Sequence, residues 1–231
     1  MKIVALTGAG ISAESGIKTF RDADGLWEGH NMMDVASPEG FAKNPKLVLD
    51  FYNERRRQLK SVTPNLAHQL LADLEKEYEV VIITQNVDDL HERAGSQNII
   101  HLHGELLKSR SVNNDNIIYD CFTDIHLGDK SPTGVQLRPH IVWFGEDVPL
   151  INKAAEEVES ADIVLIIGTS LQVYPAAGLM HYARPNIPIF YIDLHPQIKS
   201  KNNILVIADT ASSGLQKAIA QIKNLSLKIQ K

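Results

Sequence analysis

Short apolar runs recur along the chain and alternate with amphipathic segments. Strand-like runs lie at 3–6, 80–84, 163–167 and 187–192, with a shorter one at 204–207. Helical patterns lie between several of them, for example at 64–76 and 152–160. This alternation is typical of a parallel sheet that carries helices on both faces. The pattern therefore predicts an α/β fold with a doubly wound parallel sheet.

Two stretches interrupt that alternation. Residues 28–60 contain no strand-like run and have a helical pattern from about Asn44 onward. Residues 104–137 are polar, rich in Asp and Asn, and are predicted to be irregular. We expect both stretches to form a smaller lobe, with ligands between the lobes at the carboxyl ends of the parallel strands. The main lobe would then comprise about 1–27, 61–103 and 138–231.

The first strand is followed by a glycine turn. Gly8, Gly10 and Ala13 fit the G-x-G-x-x-G/A spacing that lets a backbone approach a pyrophosphate closely. An ordinary dehydrogenase would have a second strand ending in an acid about 20 residues further on. This chain has the loop sequence "KTFRDADGLWEGHN" there instead. A dinucleotide is the first candidate ligand, and a plain strand-to-helix turn is the alternative.

Polar clusters follow the other predicted strands. They read "TQNVDDLH", "HLHGE", "GTSLQVYPAAG" and "DLHP". Each could consist of turn or cap residues. Because the carboxyl ends of parallel strands lie along one edge of a sheet, four such clusters together indicate a cofactor crevice.

Composition narrows the function classes. The 231 residues carry a net charge of −5, and the one basic run of note is Arg55–Arg57, so we expect no nucleic-acid partner. A single cysteine, Cys121, rules out an intrachain disulfide. We find no membrane-length apolar stretch and no signal-type segment, and we expect a cytoplasmic location without a membrane partner.

The motifs together resemble the sirtuin family of NAD-dependent protein deacylases over essentially the whole chain. The matching stretches are "GAGISAESGIKTFR", "TQNVDDLH", "HLHGE", "RPHIVWFGEDVP" and "GTSLQVYPAAG". The resemblance implies one catalytic domain, 1–231, with a Rossmann-like lobe and a smaller inserted lobe. It further implies NAD as co-substrate and acyl-lysine proteins or peptides as partners.

The resemblance also implies residue roles. His103 would be the general base, and Asn86 and Asp88 would act at the nicotinamide ribose and carboxamide. The acyl-lysine carbonyl oxygen would attack the ribose carbon that bears nicotinamide, and the acyl group would end on ADP-ribose. The implied cofactor-binding residues are Gly8, Ala9, Gly10, Ile11, Ala13, Ser15, Ile17, Phe20, Arg21, Trp27, Gln85, Asn86, Val87, Asp88, Gly168, Thr169, Ser170, Asp193, Leu194, His195 and Ala211.

The substrate peptide is expected to add as a strand between "FGEDVP" and "QVYPAAG". Tyr52 and Arg55, preceded by the small Ala36, look like the Y-x-x-R acyl pocket of class III sirtuins, which remove succinyl and malonyl groups. A solvated arginine face on a helix is the alternative interpretation of Arg55. The implied substrate-binding residues are Ala36, Tyr52, Arg55, Val142, Phe144, Gly145, Glu146, Val173 and Tyr174.

The chain departs from the family at the four cysteines that usually hold a structural zinc. Ser111 stands at the expected place of the first, "KSPTG" occupies the region of the second pair, and Cys121 is the one thiol. Structural zinc needs four ligands, and Cys121, Asp124 and His126 are a poor substitute. We predict no zinc. An NAD hydrolase or ADP-ribosyltransferase, and a catalytically silent NAD or ADP-ribose sensor, are the alternative functions.

Overall fold

The computed structural model describes residues 1–18, 26–27 and 29–229. Its strands are β1 (Lys2–Thr7), β2 (Leu26–Trp27), β3 (His30–Asn31), β4 (Glu79–Thr84), β5 (Ile99–His101), β6 (Gly104–Ser111), β7 (Asn114–Asp120), β8 (Leu137–Ile141), β9 (Ile163–Ile167), β10 (Ile189–Asp193) and β11 (Ile204–Ala208). Its α-helices are α1 (Ala9–Ser12), α2 (Met32–Val35), α3 (Pro38–Lys43), α4 (Pro45–Ser61), α5 (Leu66–Leu74), α6 (Leu90–Ala94), α7 (Ile151–Glu159) and α8 (Ala211–Ile229). Short 3₁₀ helices cover Ala13–Ser15 and Ala176–Tyr182.

The main sheet has six parallel strands in the order β11-β10-β9-β1-β4-β5. Strand side chains alternate between its two faces, so Ile3 packs in one buried cluster and Val4 in the other. The first cluster includes residues of α5 and α8, and the second includes residues of α7. Helices therefore cover both faces, and the predicted doubly wound α/β fold is confirmed.

Local signals set the ends of the longer helices. Asn44 caps α4 by accepting a hydrogen bond from the Leu47 N–H (3.1 Å), and Pro45 occupies the first turn, where no N–H is needed. Asn65 caps α5 in the same way, with the imidazole of His68 completing a capping box. The helix expected from about Asn44 is thus confirmed.

The smaller region is a three-stranded antiparallel sheet in the order β7-β6-β8. The expectation that 104–137 is irregular is therefore wrong for β6, β7 and the start of β8. Strand β8 follows the boundary expected at 138, yet it pairs with β6 and not with the parallel sheet. The buried cluster beneath this sheet includes Phe51 and Tyr52 from α4 and Trp143 from the loop after β8.

Within the described residues, no helix is both long enough and apolar enough to cross a membrane.

Candidate active site

Two glycine turns meet at the carboxyl edge of the main sheet, where β1 and β9 end side by side. The Gly10 N–H donates to the Gly168 carbonyl (2.8 Å), and the Gly8 N–H donates to the Ile167 carbonyl (3.0 Å). A Cβ on Gly10 would lie 2.6 Å from the Gly168 Cα, and one on Gly168, which has φ +62°, would lie 2.3 Å from the Ile11 nitrogen. The glycines are therefore required for contact between the turns, and both turns face the point where the strand order reverses.

This edge offers donors to a ligand. The backbone N–H groups of Thr169 and Ser170 have no hydrogen-bond acceptor among the described residues. The Thr169 hydroxyl accepts from the Gln85 side chain (3.1 Å), which ties the turn after β9 to the loop after β4. Free amides at a turn beside a helix start suit phosphate and ribose oxygens.

A buried polar network lies beside the glycine turns. The Ser12 hydroxyl donates to the Asp88 carboxylate (3.0 Å), and the Asn86 amide donates to the Gly8 carbonyl (3.2 Å) and to the Ser12 oxygen (3.2 Å). Burial raises the pKa of Asp88 to about 6, although the N–H of Leu90 and the Ser12 hydroxyl oppose the shift. A carboxyl with a raised pKa in a crevice is typical of a functional site.

His103 is held in one tautomer. Its Nδ1 lies 3.0 Å from the Gln85 carbonyl oxygen, which can only accept, so Nδ1 carries the proton of the neutral ring. Burial lowers the pKa of His103, and the Gln85 carbonyl partly offsets this. At neutral pH the ring is therefore uncharged, with the lone pair on Nε2, as a general base needs.

His101 contacts the backbone carbonyl of Asn86, the residue that follows Gln85 in the loop after β4. Its Nδ1 lies 3.3 Å from the Asn86 oxygen and its Nε2 lies 2.6 Å from the Glu92 carboxylate. Burial lowers the pKa of His101, but the Glu92 carboxylate outweighs burial and the net shift is upward. Within the described residues, Glu92, His101 and Glu105 are the one group of three metal-ligand side chains within 4.8 Å of one another. Glu92 is already paired with His101, and Glu105 with Lys108 (3.0 Å).

The loop after β8 runs past His103. The Val142 N–H donates to the His103 carbonyl (2.9 Å), and the Phe144 N–H donates to the Ala36 carbonyl (2.9 Å). Phe144 is 39% exposed, and in the segment after β9 Val173 and Tyr174 are 37% and 73% exposed. Apolar side chains are thus exposed in both of the segments between which the substrate peptide is expected to add.

Glu146 anchors this loop. Its carboxylate accepts two hydrogen bonds from Arg138 (2.6 and 3.1 Å), one from the Trp143 N–H (2.8 Å) and a longer one from Arg110 (3.3 Å). Burial would raise the pKa of Glu146, but Arg138 and the Trp143 N–H outweigh it and lower the value. Gly145, with φ +91°, permits the tight turn between them. The Glu146 carboxylate is therefore fully engaged in holding the loop.

Tyr52 and Arg55 lie on helix α4 and differ in how well their polar atoms are paired. The Tyr52 oxygen accepts from the Trp143 indole (3.0 Å), and the side chain is fully buried. Arg55 packs its guanidinium over the Phe51 ring (4.7 Å) and contacts Glu54 (3.2 Å). Its Nε and Nη1 are buried and have no hydrogen-bond partner among the described residues. A buried guanidinium with unused donors is costly unless a ligand completes it.

The other expected cofactor residues divide into three groups. Ala9, Ile11, Ala13, Ser15 and Ile17 lie on or just after the first turn, and Val87 lies in the loop after β4. Asp193 ends β10, where its carboxylate caps the His195 N–H (2.8 Å), and Leu194 is exposed beside it; Ala211 begins α8. Trp27 packs against Phe51 and Tyr52 in the core of the small lobe. Phe20 and Arg21 lie outside the described residues.

The residues at the expected zinc position do not fit a zinc ion. Cys121 donates its thiol to the Thr123 carbonyl (3.4 Å) and packs with Leu49 and Ile125. Asp124 pairs with Arg57, and within the described residues Cys121, Asp124 and His126 do not come together as a ligand group. A single thiol that serves as an apolar core residue lacks the thiolate chemistry of a structural site.

Three residues of the site were not predicted from the sequence. Ser12 links Asn86 to Asp88, Trp143 holds Tyr52, and Arg138 holds Glu146 and lies over the Trp143 ring (3.2 Å). All three lie within motifs that the sequence offered. Arg138 pairs with Glu146 only eight residues along the chain, whereas Ser12 and Trp143 contact residues that are distant in sequence. Their partners are 76 and 91 residues away along the chain, so spacing carried no signal for these contacts.

Sequence comparison finds relatives over nearly the whole chain. The family model described as "Sir2 family" matches residues 8–175. A protein of Helicobacter pylori named "NAD-dependent protein deacylase" is 59% identical over 217 residues, which cover 93% of this chain and 94% of that protein. A protein of the same name from Bacteroides thetaiotaomicron is 53% identical over 221 residues, with 93% and 94% covered.

Structural comparison agrees. A Sir2 homologue solved as an NAD complex has a TM-score of 0.86 at 38% identity, covering 97% of this chain and 90% of that one. A mutant Sir2 homologue solved with ADP ribose has a TM-score of 0.88 at 38% identity, covering 98% and 94%.

Proposed function

The chain belongs to the Sir2 family, and we propose that this NAD-dependent protein deacylase removes succinyl and malonyl groups from lysine side chains, and acetyl groups with lower efficiency. NAD supplies the ribose that receives the acyl group and the nicotinamide that leaves. The proposed substrates are acylated proteins or peptides, bound as an added strand beside Phe144 and Val173.

The observation that carries the acyl preference is the state of Arg55. Its side chain is 11% exposed, and two of its nitrogens are buried without a partner among the described residues. A terminal carboxylate on the acyl group would accept from these donors, each bond being worth about 1.5–3 kcal/mol. An acetyl group offers no such acceptor, so the preference amounts to roughly 10- to 100-fold.

Tyr52 supports the same pocket. Burial raises the pKa of Tyr52 far above its usual value, so the phenol keeps its proton. The Trp143 indole already donates to its oxygen, which leaves the phenol proton as a donor for a carboxylate. Ala36, 4% exposed, adds little bulk at the loop contact with Phe144, and we assign to it the space for a longer acyl chain.

The polar network supports the proposed catalytic roles. His103 accepts a ribose hydroxyl proton at Nε2, because its Nδ1 proton is fixed on the Gln85 carbonyl. Asp88, fixed by Ser12 and the Leu90 N–H, accepts from the nicotinamide carboxamide, and Asn86 orients the ribose beside the Gly8 turn. Gly8, Gly10, Gly168, Thr169 and Ser170 hold the phosphates and the second ribose, and Asp193 to His195 with Ala211 lie at the adenosine end.

The first test is NAD-dependent nicotinamide release with succinyl-lysine peptide, acetyl-lysine peptide or no peptide, together with the mass of the peptide. We expect peptide-dependent release that is faster with the succinyl peptide and matched by loss of the acyl mass. Release without peptide would indicate an NAD hydrolase. Binding of NAD without release would indicate a sensor.

The second test separates Arg55 from its neighbours. Arg55→Met should lower kcat/KM for the succinyl peptide roughly 10- to 100-fold and change the acetyl value less than about threefold. Arg57→Met is the matched control, because Arg57 lies on the same helix but its side chain is 58% exposed, and it should leave both values near wild type. Equal losses on both peptides after Arg55→Met would refute carboxylate recognition.

A further inference from the structure

The segment 121–126 contains no regular secondary structure, yet it is held firmly against helix α4. The Asn53 side chain is 2% exposed and makes two hydrogen bonds to one residue of this segment. Its Nδ2 donates to the Ile125 carbonyl (2.9 Å), and its Oδ1 accepts from the Ile125 N–H (2.8 Å). Asn53 thereby satisfies both backbone groups of Ile125, as a neighbouring strand would.

Arg56 extends this contact to the small sheet. Its Nη1 donates to the Asn53 oxygen (2.8 Å) and its Nε donates to the Leu106 carbonyl on β6 (3.1 Å). Arg56 is 1% exposed, so these bonds form away from water, where they are strong and costly to leave unmade. The next residue along the helix, Arg57, pairs with Asp124.

The contacting residues form one stripe of α4. Leu49 packs with Cys121 and Ile125, and Asn53, Arg56 and Lys60 follow at helical spacing, with Lys60 donating to the Phe122 carbonyl. We call Asn53 and Arg56, with their bonds to Ile125 and Leu106, the amide clamp. Tyr52 and Arg55 immediately precede the clamp residues on the same helix, so a roll of α4 that broke the clamp would also move them.

We propose that Asn53 is a positioning residue for acyl recognition: the amide clamp orders segment 121–126 without a metal ion and fixes the roll of helix α4 that aims Arg55. The acyl part of this inference rests on the proposed function. The ordering of the segment does not.

The experiment uses the full chain with Asn53→Ala, Asn53→Ser as a milder variant, and Lys46→Ala as the control. Lys46 lies on the same helix but is exposed, and among the residues that the structure describes it pairs only with Asp50. Peptide and NAD kinetics are measured for each variant, with hydrogen exchange of residues 121–126 and the zinc content of the purified protein.

We expect Asn53→Ala to raise KM for the succinyl peptide about 10-fold, Asn53→Ser to give a smaller rise, and Lys46→Ala none. KM for NAD and kcat/KM for the acetyl peptide should stay within about twofold of wild type, which a general loss of structure would not allow. Amide exchange in 121–126 should speed up at least about 10-fold, with 163–167 unchanged. The wild type should hold no zinc and keep its activity in a chelator.

Equal losses on both peptides and on NAD would overturn the positioning role. Unchanged exchange in 121–126, or one zinc per chain with activity lost in chelator, would overturn the clamp. If instead the wild type shows no succinyl preference while exchange responds as expected, the proposed acyl preference fails and the ordering by Asn53 stands.

Discussion

The six-stranded sheet and the three-stranded sheet of this chain bury different kinds of residue. Apart from the exposed Glu79 at the start of β4, strands β4 and β9 expose almost nothing and are built from Val, Ile, Leu and Thr. Strand β6 buries Ser109, Arg110 and Ser111, and its neighbour β8 buries Arg138. The large sheet is stabilised mainly by burial of apolar area, which has no direction, whereas the small one depends on individual hydrogen bonds with fixed geometry.

The two sheets therefore support different parts of the candidate site. The apolar sheet provides the edge at which the two glycine turns meet, and its stability is spread over many apolar contacts. The polar sheet contacts helix α4 and the loop after β8 through a few side chains, and we propose that these contacts position Arg55 and the substrate peptide. Substitutions in the small sheet should therefore change substrate preference more readily than substitutions of similar size in the large one.

The largest effect should come from the apolar sheet. Leu165→Ala, at a fully buried position of β9, should lower the free energy of unfolding by about 2–5 kcal/mol through lost burial and a cavity. Urea denaturation followed by circular dichroism measures it. A loss below about 1 kcal/mol would mean that neighbouring side chains fill the cavity, and that the large sheet depends less on apolar burial than the comparison with the small sheet implies.

The buried carboxylate of Asp88, next to the large sheet, allows the stability cost of a site residue to be measured. Asp88 has a folded pKa of about 6 against an ordinary 3.8, so the folded state binds the carboxyl proton more tightly than the unfolded state does. The protonated carboxyl therefore stabilises the fold at low pH, and this stabilisation is lost as the pH rises through 6. Asp88→Asn should therefore raise the unfolding free energy at pH 7.5 by up to about 3 kcal/mol while abolishing nicotinamide release. The gain should shrink toward pH 4, and a gain independent of pH would contradict the ionisation argument.

A slightly smaller effect should follow from breaking the polar support of the peptide loop. Arg138→Met removes the two-point partner of the Glu146 carboxylate and leaves the longer contact with Arg110 (3.3 Å), so it should cost about 2–3 kcal/mol, with a raised KM for peptide and an unchanged KM for NAD. The double variant with Glu146→Gln should recover part of the stability. No recovery would show that stacking of Arg138 on Trp143, and not the ion pair, carries the loss.

The smallest effect should come from an exposed ion pair of the small lobe. Arg57→Ala removes the contact with Asp124 and should change the unfolding free energy by less than about 1 kcal/mol. Raising the salt concentration should erase the difference. A larger, salt-independent loss would place Arg57 among the essential side chains of the clamp.

The same contrast explains what the sequence could predict. The apolar runs at 80–84 and 163–167 predict strands β4 and β9, and the polar clusters after these runs predict which residues meet at the edge of the sheet. Strand β8 contains Arg138 and Pro139, and β6 buries serines and an arginine, so neither has an apolar signature. Their burial depends on partners such as Glu146 and Arg56, which no periodicity reveals.

The contact between the two glycine turns also bears on how the protein is made. Gly10 leaves the ribosome 158 residues before Gly168, whose carbonyl its N–H must find. At ordinary elongation rates the wait is about 10–30 s. During that time β1, a central strand of the sheet, has no β9 to pair with. The contact between the two glycine turns can therefore form only after β9 and Gly168 have been synthesised.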